Sequence, residues 1–215
     1  MKLKVCGLKS PENIEQLTKL NIDFMGFIFF ELSKRFVADT LSKEIIKTIP
    51  NQIKKIAVFV NARSEDILWT LKDYDSKFNY IQCHGDETPE FCQDLKKMGF
   101  GIIKAFQMDE EFDFSQLKAY ESVVDYYLFD TSSKNYGGSG QKFDWTLLNK
   151  YQGNKPFFLS GGMKPEDVKQ LQNFNHPQFY AIDINSRFED EPGLKNIESI
   201  KTFCENLNQT SNINE

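Results

Sequence analysis

Short apolar runs recur along the chain, and each ends where the apolar pattern stops. Eight such ends lie 23 to 31 residues apart, at Cys6, Phe29, Val60, Cys83 with His84, Phe106, Asp130, Leu159 and Asp183. Each interval leaves room for one helix and two loops, which is the connection that successive parallel strands require. The runs show little polar alternation, as is typical of parallel strands covered by helices. The pattern predicts an α/β protein with a (β/α)8 TIM-barrel fold.

Helix-start signals fall between the predicted strands. Ser10-Pro11-Glu12 and Thr88-Pro89-Glu90 each combine an N-cap residue, a first-turn proline and an acidic side chain. A related segment, 164–167, contains Pro165, and Ser64-Glu65-Asp66 precedes a further apolar stripe. Strands and helices are therefore expected to alternate.

The two longest intervals between strand ends follow Phe29 and Asp130. They include segments 30–37 and 131–142, and the second contains Gly137-Gly138-Ser139-Gly140. Because the loops after the strands build the active site of a TIM barrel, both segments are candidate lids.

Chain length and composition limit the number of domains. The 215 residues, of which 40% are hydrophobic, suffice for one barrel core and leave no material for a second domain. We assign residues 1–207 to a single barrel domain. Residues 208–215 are polar and aperiodic, and we expect them to be a disordered tail.

Charge and patterning narrow the class of partner. The formal net charge is −5 and the pI is about 5.2, which opposes nucleic-acid binding as a main activity but allows a small anionic ligand. The chain shows neither a cleavable leader pattern nor an apolar stretch of membrane-spanning length, so we expect a cytoplasmic protein without membrane contact. The four cysteines form no C-x-x-C pair, which predicts reduced thiols and no metal site.

Two strand ends carry side chains suited to proton transfer. Cys6 precedes Gly7, which lets the backbone turn and leaves the thiol facing the barrel mouth. A positive charge near this thiol would make it a base. The alternative is that Cys6 is a small core residue. Asp130 ends an apolar run, where burial would raise its pKa as a general acid requires, unless it only caps a loop. Strands 1 and 6 are three steps apart around the ring. Cys6 and Asp130 are therefore expected to face each other.

Ser160-Gly161-Gly162 follows the seventh predicted strand and has the form of a phosphate-binding turn, in which bare backbone N–H groups approach an anion at a helix N-terminus. Asn185 and Ser186 follow the eighth strand. TIM barrels commonly bind phosphate after these two strands, so we predict phosphate binding here. A simple tight turn is the alternative.

Arginine is rare, with Arg35, Arg63 and Arg187 standing against 23 lysines. Each follows a predicted strand, where a planar guanidinium suits bidentate binding of carboxylate or phosphate. We interpret Arg35, beside the long second loop, as a ligand contact and Arg63 as a solvated loop charge. For Arg187 both interpretations stay open.

Three further side chains have two interpretations each. His84 orients a ligand or belongs to the turn that continues through residues 85–87. Asp183 accepts hydrogen bonds from sugar hydroxyls or stabilises its adjacent loop. Lys104 pairs with a carboxylate inside the barrel or extends its charge to solvent.

Taken in order, these motifs resemble the phosphoribosylanthranilate isomerase family of tryptophan biosynthesis. Any one of the motifs is weak, but together they are highly specific and cover the chain nearly end to end. They are Lys4-Val5-Cys6-Gly7-Leu8, Gly26-Phe27-Ile28-Phe29, Ser33-Lys34-Arg35-Phe36-Val37, Val58-Phe59-Val60-Asn61, Gln82-Cys83-His84-Gly85-Asp86-Glu87, Lys104-Ala105-Phe106, Phe129-Asp130-Thr131, Gly137-Gly138-Ser139-Gly140, Phe143-Asp144-Trp145, Leu159-Ser160-Gly161-Gly162-Met163-Lys164-Pro165 and Pro192-Gly193-Leu194-Lys195.

The resemblance implies an Amadori rearrangement of N-(5-phosphoribosyl)anthranilate to 1-(2-carboxyphenylamino)-1-deoxyribulose 5-phosphate, with no cofactor and no metal. By similarity, Asp130 would be the general acid that opens the ribose ring, and Cys6 the general base that removes the C2 proton. Arg35 would hold the anthranilate carboxylate. Residues after strands 6 to 8 would hold the phosphate, namely Gly138, Gly161, Gly162, Asn185 and Ser186.

Some positions depart from the family pattern. After strand 8 the family commonly has Ser-Ser-Gly-Val-Glu, whereas this chain has Asn185-Ser186-Arg187-Phe188-Glu189, so Arg187 and Phe188 bear on the phosphate contacts. Lys34 replaces a common proline and Cys83 a common leucine. Neither change removes a proposed catalytic group.

Two other functions compete with this interpretation. A lyase such as indole-glycerol-phosphate synthase would need a catalytic lysine and glutamates at strand ends, and the chain offers Lys104 but no strand-end glutamate. A barrel that only binds a phosphorylated metabolite would not need Cys6 and Asp130 together. The predicted partner is a phosphorylated small molecule, and both a monomer and a homodimer stay open.

Overall fold

A computed structural model of the protein describes residues 1–75, 77–131 and 142–209, and it shows eight parallel strands closed into a barrel. Each strand pairs with the next in sequence, and the eighth pairs with the first. The strands are β1 (Lys2–Val5), β2 (Phe24–Ile28), β3 (Lys54–Phe59), β4 (Tyr80–Cys83), β5 (Gly101–Met108), β6 (Tyr126–Thr131), β7 (Phe157–Leu159) and β8 (Phe179–Ile184). The predicted barrel fold is confirmed.

The α-helices pack around the barrel. They are α1 (Pro11–Leu17), α2 (Lys43–Thr48), α3 (Ser64–Lys72), α4 (Pro89–Lys97), α5 (Val168–Asn173) and α6 (Ile197–Gln209). The Ser10 and Thr88 side chains accept hydrogen bonds from the backbone N–H groups of Asn13 and Phe91, so both predicted N-caps are confirmed. None of the helices among the described residues has the length and apolar character needed to cross a membrane.

The described parts of the connections after β5 and β6 contain 3-10 helices, Phe114–Tyr120 and Trp145–Lys150, where the alternation predicted α-helices. Asp113 and Asp144 precede them, and each carboxylate accepts a hydrogen bond from the backbone N–H two residues later. The caps of α1 and α4 instead accept from the residue three positions later. Local side-chain bonds of this shorter span compete with α-helix formation and favour a tighter turn.

Two hydrophobic layers surround the barrel wall. The outer layer lies between strands and helices, while the inner layer fills the barrel with side chains that include Phe24, Ile103 and Phe158. Tyr126 and Tyr180 stack at the amino ends of their strands, with ring centroids 4.8 Å apart. Apolar and aromatic side chains thus fill the lower barrel and leave its carboxyl end to polar groups.

Beyond β8 the chain folds back over the edge of the barrel. A 3-10 turn, Ser186–Phe188, leads into an antiparallel pair, β9 (Glu189–Glu191) and β10 (Leu194–Lys195). Phe188 is buried and packs on Phe203 of α6, with ring centroids 5.0 Å apart. The departure from the family pattern at Phe188 therefore adds to the core.

The last helix, α6, continues to Gln209, two residues past the predicted end of the barrel domain at 207. Residues 210–215 of the expected tail lie outside the described residues.

Phe158 should be essential for stability because it fills the centre of the barrel. Its ring is fully buried and lies 5.1 Å from Phe24 and 5.3 Å from Tyr126, measured between ring centroids. We expect Phe158→Ala to lower the free energy of unfolding by about 3–5 kcal/mol. The control Trp69→Ala removes an aromatic side chain that is 72% exposed, and it should cost no more than about 1 kcal/mol. Equal losses in chemical denaturation would contradict this account.

Candidate active site

A single cavity at the carboxyl ends of the strands collects the predicted site residues. Nine of the ten line it, namely Cys6, Arg35, His84, Asp130, Gly161, Gly162, Asp183, Asn185 and Ser186. The tenth, Gly138, lies outside the described residues. The same wall includes the apolar side chains of Ile28, Phe30, Val58, Val60 and Met163. Residues separated by up to 180 positions in the sequence thus meet at one site.

Cys6 follows β1 directly, and its thiol is buried in the cavity wall. Burial raises the pKa of the thiol, while the ammonium groups of Lys4 and Lys195 oppose that rise. The sequence argument made Cys6 a base on the condition that a nearby positive charge or a helix N-terminus lowers its pKa. The structure supplies two such charges, but the loss of solvent around a buried thiol outweighs them.

Gly7, next to Cys6, allows two cavity side chains to approach its own backbone. Its φ is +74°, and a Cβ atom there would lie 2.5 Å from Cδ of Arg35 and 2.7 Å from Oδ1 of Asn185. Any larger residue would push these side chains away. Gly7 thus keeps Arg35 and Asn185 next to Cys6.

Asp130 accepts one hydrogen bond and lies within ion-pair distance of His84. Its Oδ1 accepts from the backbone N–H of Thr131 at 2.8 Å, and its Oδ2 lies 3.4 Å from Nε2 of His84. The carboxyl group is 16% exposed and lines the cavity. The sequence argument required this carboxylate to be paired or protonated, and the structure provides His84 as the partner.

A buried polar network lies beneath these groups. Lys4 is fully buried, and its Nζ donates to Oδ2 of Asp183 at 2.8 Å and to Oε1 of Gln82 at 2.7 Å. Nε2 of Gln82 lies 2.7 Å from Nδ1 of His84. Burial raises the pKa of Asp183, and its Oδ1 has no hydrogen-bond partner among the described residues. The network therefore runs from β8 through β1 to β4.

Arg35 forms a second polar cluster at the rim. Its Nε and Nη2 both bond to the carboxylate of Glu189, at 2.6–3.0 Å. Lys195 donates to Glu189 at 2.6 Å and to Oδ1 of Asn185 at 2.8 Å. Burial lowers the pKa of Lys195 to about 8. Glu189 thus orients Arg35 at the edge of the cavity and neutralises much of the local positive charge.

The glycine turn after β7 takes a backbone form that requires glycine. Gly161 has a φ of +97°, and a Cβ atom there would collide with the side chain and backbone nitrogen of Thr131. The turn leads into a 3-10 segment, Pro165–Asp167, in which Asp167 accepts a hydrogen bond from the N–H of Lys164 at 2.7 Å. At the helix N-terminus expected here, the carboxylate of Asp167 therefore already binds one backbone N–H group. The N–H groups for an anion are those of the glycine turn itself.

Residues 3–206 match the family model of N-(5'-phosphoribosyl)anthranilate (PRA) isomerase. The chain is 46% identical over 209 residues to the N-(5'-phosphoribosyl)anthranilate isomerase of Parabacteroides distasonis. The aligned region covers 96% of this chain and 93% of that protein. The chain belongs to the N-(5'-phosphoribosyl)anthranilate isomerase family. The resemblance of the sequence motifs to this family is thereby confirmed. The predicted function, an isomerase of tryptophan biosynthesis, is confirmed with it.

Solved structures of isomerases agree with this family membership. The isomerase of Thermotoga maritima is 31% identical, has a TM-score of 0.85 and covers 97% of this chain, which covers 99% of that one. An isomerase structure in complex with reduced 1-(o-carboxyphenylamino)-1-deoxyribulose 5-phosphate is 29% identical, with a TM-score of 0.82 and coverage of 97% and 99%.

Four members of the isomerase site were missed from the sequence, although two of them were detectable. Lys4 and Gln82 stand two positions before Cys6 and His84, so strand alternation places each pair on the same face of the barrel wall. Glu189 and Lys195 carried no such signal. Their position depends on how the β9–β10 pair folds over the barrel edge.

The structure settles several alternatives. Lys104 is buried and pairs with Glu87 at 3.4 Å, so it is an interior charge and not a solvated one. Arg63 is an exposed loop residue paired with Asp66, as expected. Arg187 is exposed.

The charge of Lys195 should influence the Cys6 thiol. Lys195→Met removes one of the two ammonium groups that oppose the burial effect, so the pKa of Cys6 should rise further. Below about pH 8, where Lys195 of the wild type is charged, alkylation of Cys6 by iodoacetamide, quantified by peptide mass spectrometry, should then be slower in the variant. The control Lys19→Met removes an exposed lysine outside the cavity and should leave the alkylation rate unchanged. An unchanged rate in Lys195→Met would contradict this coupling.

Gly161 and Gly99 provide a matched test of the glycine turn. Their φ values are +97° and +95°. Atoms lie in the way of a Cβ at Gly161, whereas no atom of the described residues lies within 4 Å of that position at Gly99. Each change to Ala should cost about 1–2 kcal/mol of stability for the backbone conformation. Gly161→Ala should cost about 1–3 kcal/mol more and raise KM for a phosphorylated substrate. Calorimetry measures the loss of stability, and steady-state kinetics measures KM. Equal stability and equal KM in the two variants would contradict the proposed role of the glycine turn.

Proposed function

We propose that this chain converts N-(5'-phosphoribosyl)anthranilate to 1-(2-carboxyphenylamino)-1-deoxyribulose 5-phosphate, with Asp130 as general acid and Cys6 as general base. The main support is that Cys6 from β1 and Asp130 from β6 line one cavity, three strands apart around the barrel. The isomerase with reduced 1-(o-carboxyphenylamino)-1-deoxyribulose 5-phosphate supports a phosphorylated ligand.

The acid step opens the sugar ring. Asp130 transfers its proton to the ring oxygen, the bond from that oxygen to C1 breaks, and the anthranilate nitrogen forms a C=N bond with C1. The ring oxygen becomes a hydroxyl group, and Asp130 is left as a carboxylate. His84 is within reach of that carboxylate through its Nε2, so the charge that develops has a donor beside it.

The base step forms the product skeleton. Because burial raises the pKa of Cys6, the reaction uses the ionised fraction of this thiol. The Cys6 thiolate removes the proton from C2, and the electrons move through C1 to nitrogen to give an enolamine. Transfer of the C2 hydroxyl proton to C1 then gives the ketone. Atoms and electrons balance within the substrate, and the enzyme returns to its first state when Cys6 loses a proton and Asp130 regains one.

The cavity wall provides a place for each part of this substrate. The apolar side chains Ile28, Phe30, Val58, Val60 and Met163 suit the aromatic ring. Glu189 bonds to the Nε and Nη2 side of Arg35, which leaves Nη1 outside that pair to meet the anthranilate carboxylate.

The remaining polar groups are assigned to the sugar and the phosphate. Asp183 is the acceptor for a sugar hydroxyl, because a buried oxygen without a partner costs about 1–3 kcal/mol. Gly161, Gly162 and Ser186 offer backbone N–H groups to the phosphate, and Gly138 is retained from the sequence prediction. For the oligomeric state, both a monomer and a homodimer stay as predictions.

The contacts of Lys104 argue against the competing lyase interpretation. A catalytic lysine must reach the substrate, but Nζ of Lys104 donates to the backbone carbonyl groups of Gly85 and Ala105, at 2.6 and 2.8 Å, and pairs with Glu87. It is not among the residues that line the cavity.

Substitution of the two proton-transfer groups tests the assignment. Cys6→Ala and Asp130→Ala should each lower kcat by about 10²–10⁴-fold, the range typical of a lost general acid or base. The double variant should lose less than the product of the single losses, because both groups serve one reaction. Turnover is followed as loss of substrate fluorescence after the substrate has been generated in situ.

Cys204→Ala is the matched control, since it removes another buried thiol, from α6, outside the cavity. Its kcat should equal that of the wild type. Retained turnover in both Cys6→Ala and Asp130→Ala would overturn the catalytic assignment, and an inactive wild-type protein would favour a binding role.

A further inference from the structure

We propose that Lys4 and Gln82 are positioning residues that hold His84 as the neutral tautomer protonated at Nε2, the nitrogen that lies 3.4 Å from Oδ2 of Asp130. The proton location follows from the hydrogen-bond network alone. Its meaning for catalysis rests on the proposed role of Asp130 as general acid.

The network is oriented at Lys4. A lysine ammonium has three donors and no acceptor. Nζ of Lys4 is fully buried and lies 2.7 Å from one end of the Gln82 amide. That end must therefore be the carbonyl oxygen, because an NH₂ group in its place would put two donors face to face. Asp183 takes a second Lys4 proton at 2.8 Å and keeps the ammonium in position.

The orientation passes through Gln82 to the imidazole. With its oxygen bonded to Lys4, the amide presents its NH₂ group to Nδ1 of His84, 2.7 Å away. An NH₂ group only donates, so Nδ1 must be an unprotonated acceptor. The ring proton of neutral His84 is then on Nε2.

Nε2 of His84 lies near the oxygen of Asp130 that would carry the transferable proton. Oδ1 of Asp130 is already an acceptor for the Thr131 N–H at 2.8 Å, which leaves Oδ2, 3.4 Å from Nε2 of His84, to hold the proton. When Asp130 gives up that proton, the His84 N–H closes on the carboxylate, because such contacts shorten as charge develops.

A neutral His84 also protects the acid before the reaction. A cationic imidazolium beside Asp130 would favour the ionised carboxylate and leave no proton to donate. The charged and titratable groups joined to His84 by this network are Asp130 on β6, Lys4 on β1, Asp183 on β8, and Cys6, whose thiol lies beside Lys4. Gln82 separates the Lys4 charge from the imidazole while it transmits the hydrogen-bond direction.

Nitrogen-15 NMR of the imidazoles tests the tautomer without reference to activity. The chain has two histidines, so the signals are readily assigned. His176 serves as an internal reference, because its Nδ1 accepts from the backbone N–H of Gln178 at 3.1 Å and its Nε2 lies 3.1 Å from the carbonyl oxygen of Tyr151. At neutral pH, His84 in the wild type should show an unprotonated Nδ1 and a protonated Nε2. A protonated Nδ1 would overturn the proposal even if no variant folds.

Gln82→Glu tests the positioning role. A carboxylate cannot donate to Nδ1, so His84 should gain an Nδ1 proton, and kcat should fall about tenfold or more with a smaller change in KM. Gln82→Met supplies neither donor nor acceptor and should give a smaller loss. Gln178→Glu is the matched control, because the backbone of Gln178, and not its side chain, bonds to His176. It should leave both imidazoles and kcat unchanged.

The outcomes separate this inference from the proposed function. An Nδ1 proton in Gln82→Glu together with unchanged kcat would overturn the positioning role while leaving Asp130 as the acid. An unprotonated Nδ1 in Gln82→Glu would overturn the hydrogen-bond argument itself. A wild-type protein that shows the stated tautomer but no isomerase turnover would reject the proposed function alone.

Discussion

The fully buried ammonium group of Lys4 is the constraint on which the site depends. A charge without solvent contact is costly unless it is paired and hydrogen-bonded. Lys4 therefore requires Asp183 from β8 and Gln82 from β4, at 2.8 and 2.7 Å. These bonds join distant parts of the barrel wall. They also orient the Gln82 amide and, through it, His84, because each donor must meet an acceptor.

The same charge divides the barrel interior into two zones. Below it lie close-packed apolar and aromatic side chains such as Phe24, Phe158 and Tyr126, which exclude water and stabilise the fold. At the carboxyl ends lie the thiol and carboxyl groups of Cys6 and Asp130. The hydrophobic zone provides stability, so the polar zone can hold buried and incompletely bonded groups that the chemistry requires.

Local pattern predicted the fold well but not every element. Unalternated apolar runs defined the parallel strands, and the caps at Ser10 and Thr88 defined helix starts, because these signals depend on neighbouring residues only. The 3-10 helices beginning at Phe114 and Trp145 were predicted as α-helices. The Asp113 and Asp144 carboxylates accept hydrogen bonds from the backbone N–H groups two residues later, and these bonds favour the 3-10 form over the α-helix, which has a similar sequence pattern.

The sequence by itself determined the eightfold repeat, the face that carries the site, and Cys6, Asp130 and the glycine turn as its candidate members. Only the tertiary structure decided which groups pair. Arg35 meets Glu189 across 154 positions, and Lys4 meets Asp183 across 179. A thiol beside two lysines still has its pKa raised, because burial is a property of the whole barrel. Strand alternation records which way a side chain points, whereas closure of the barrel decides what it meets.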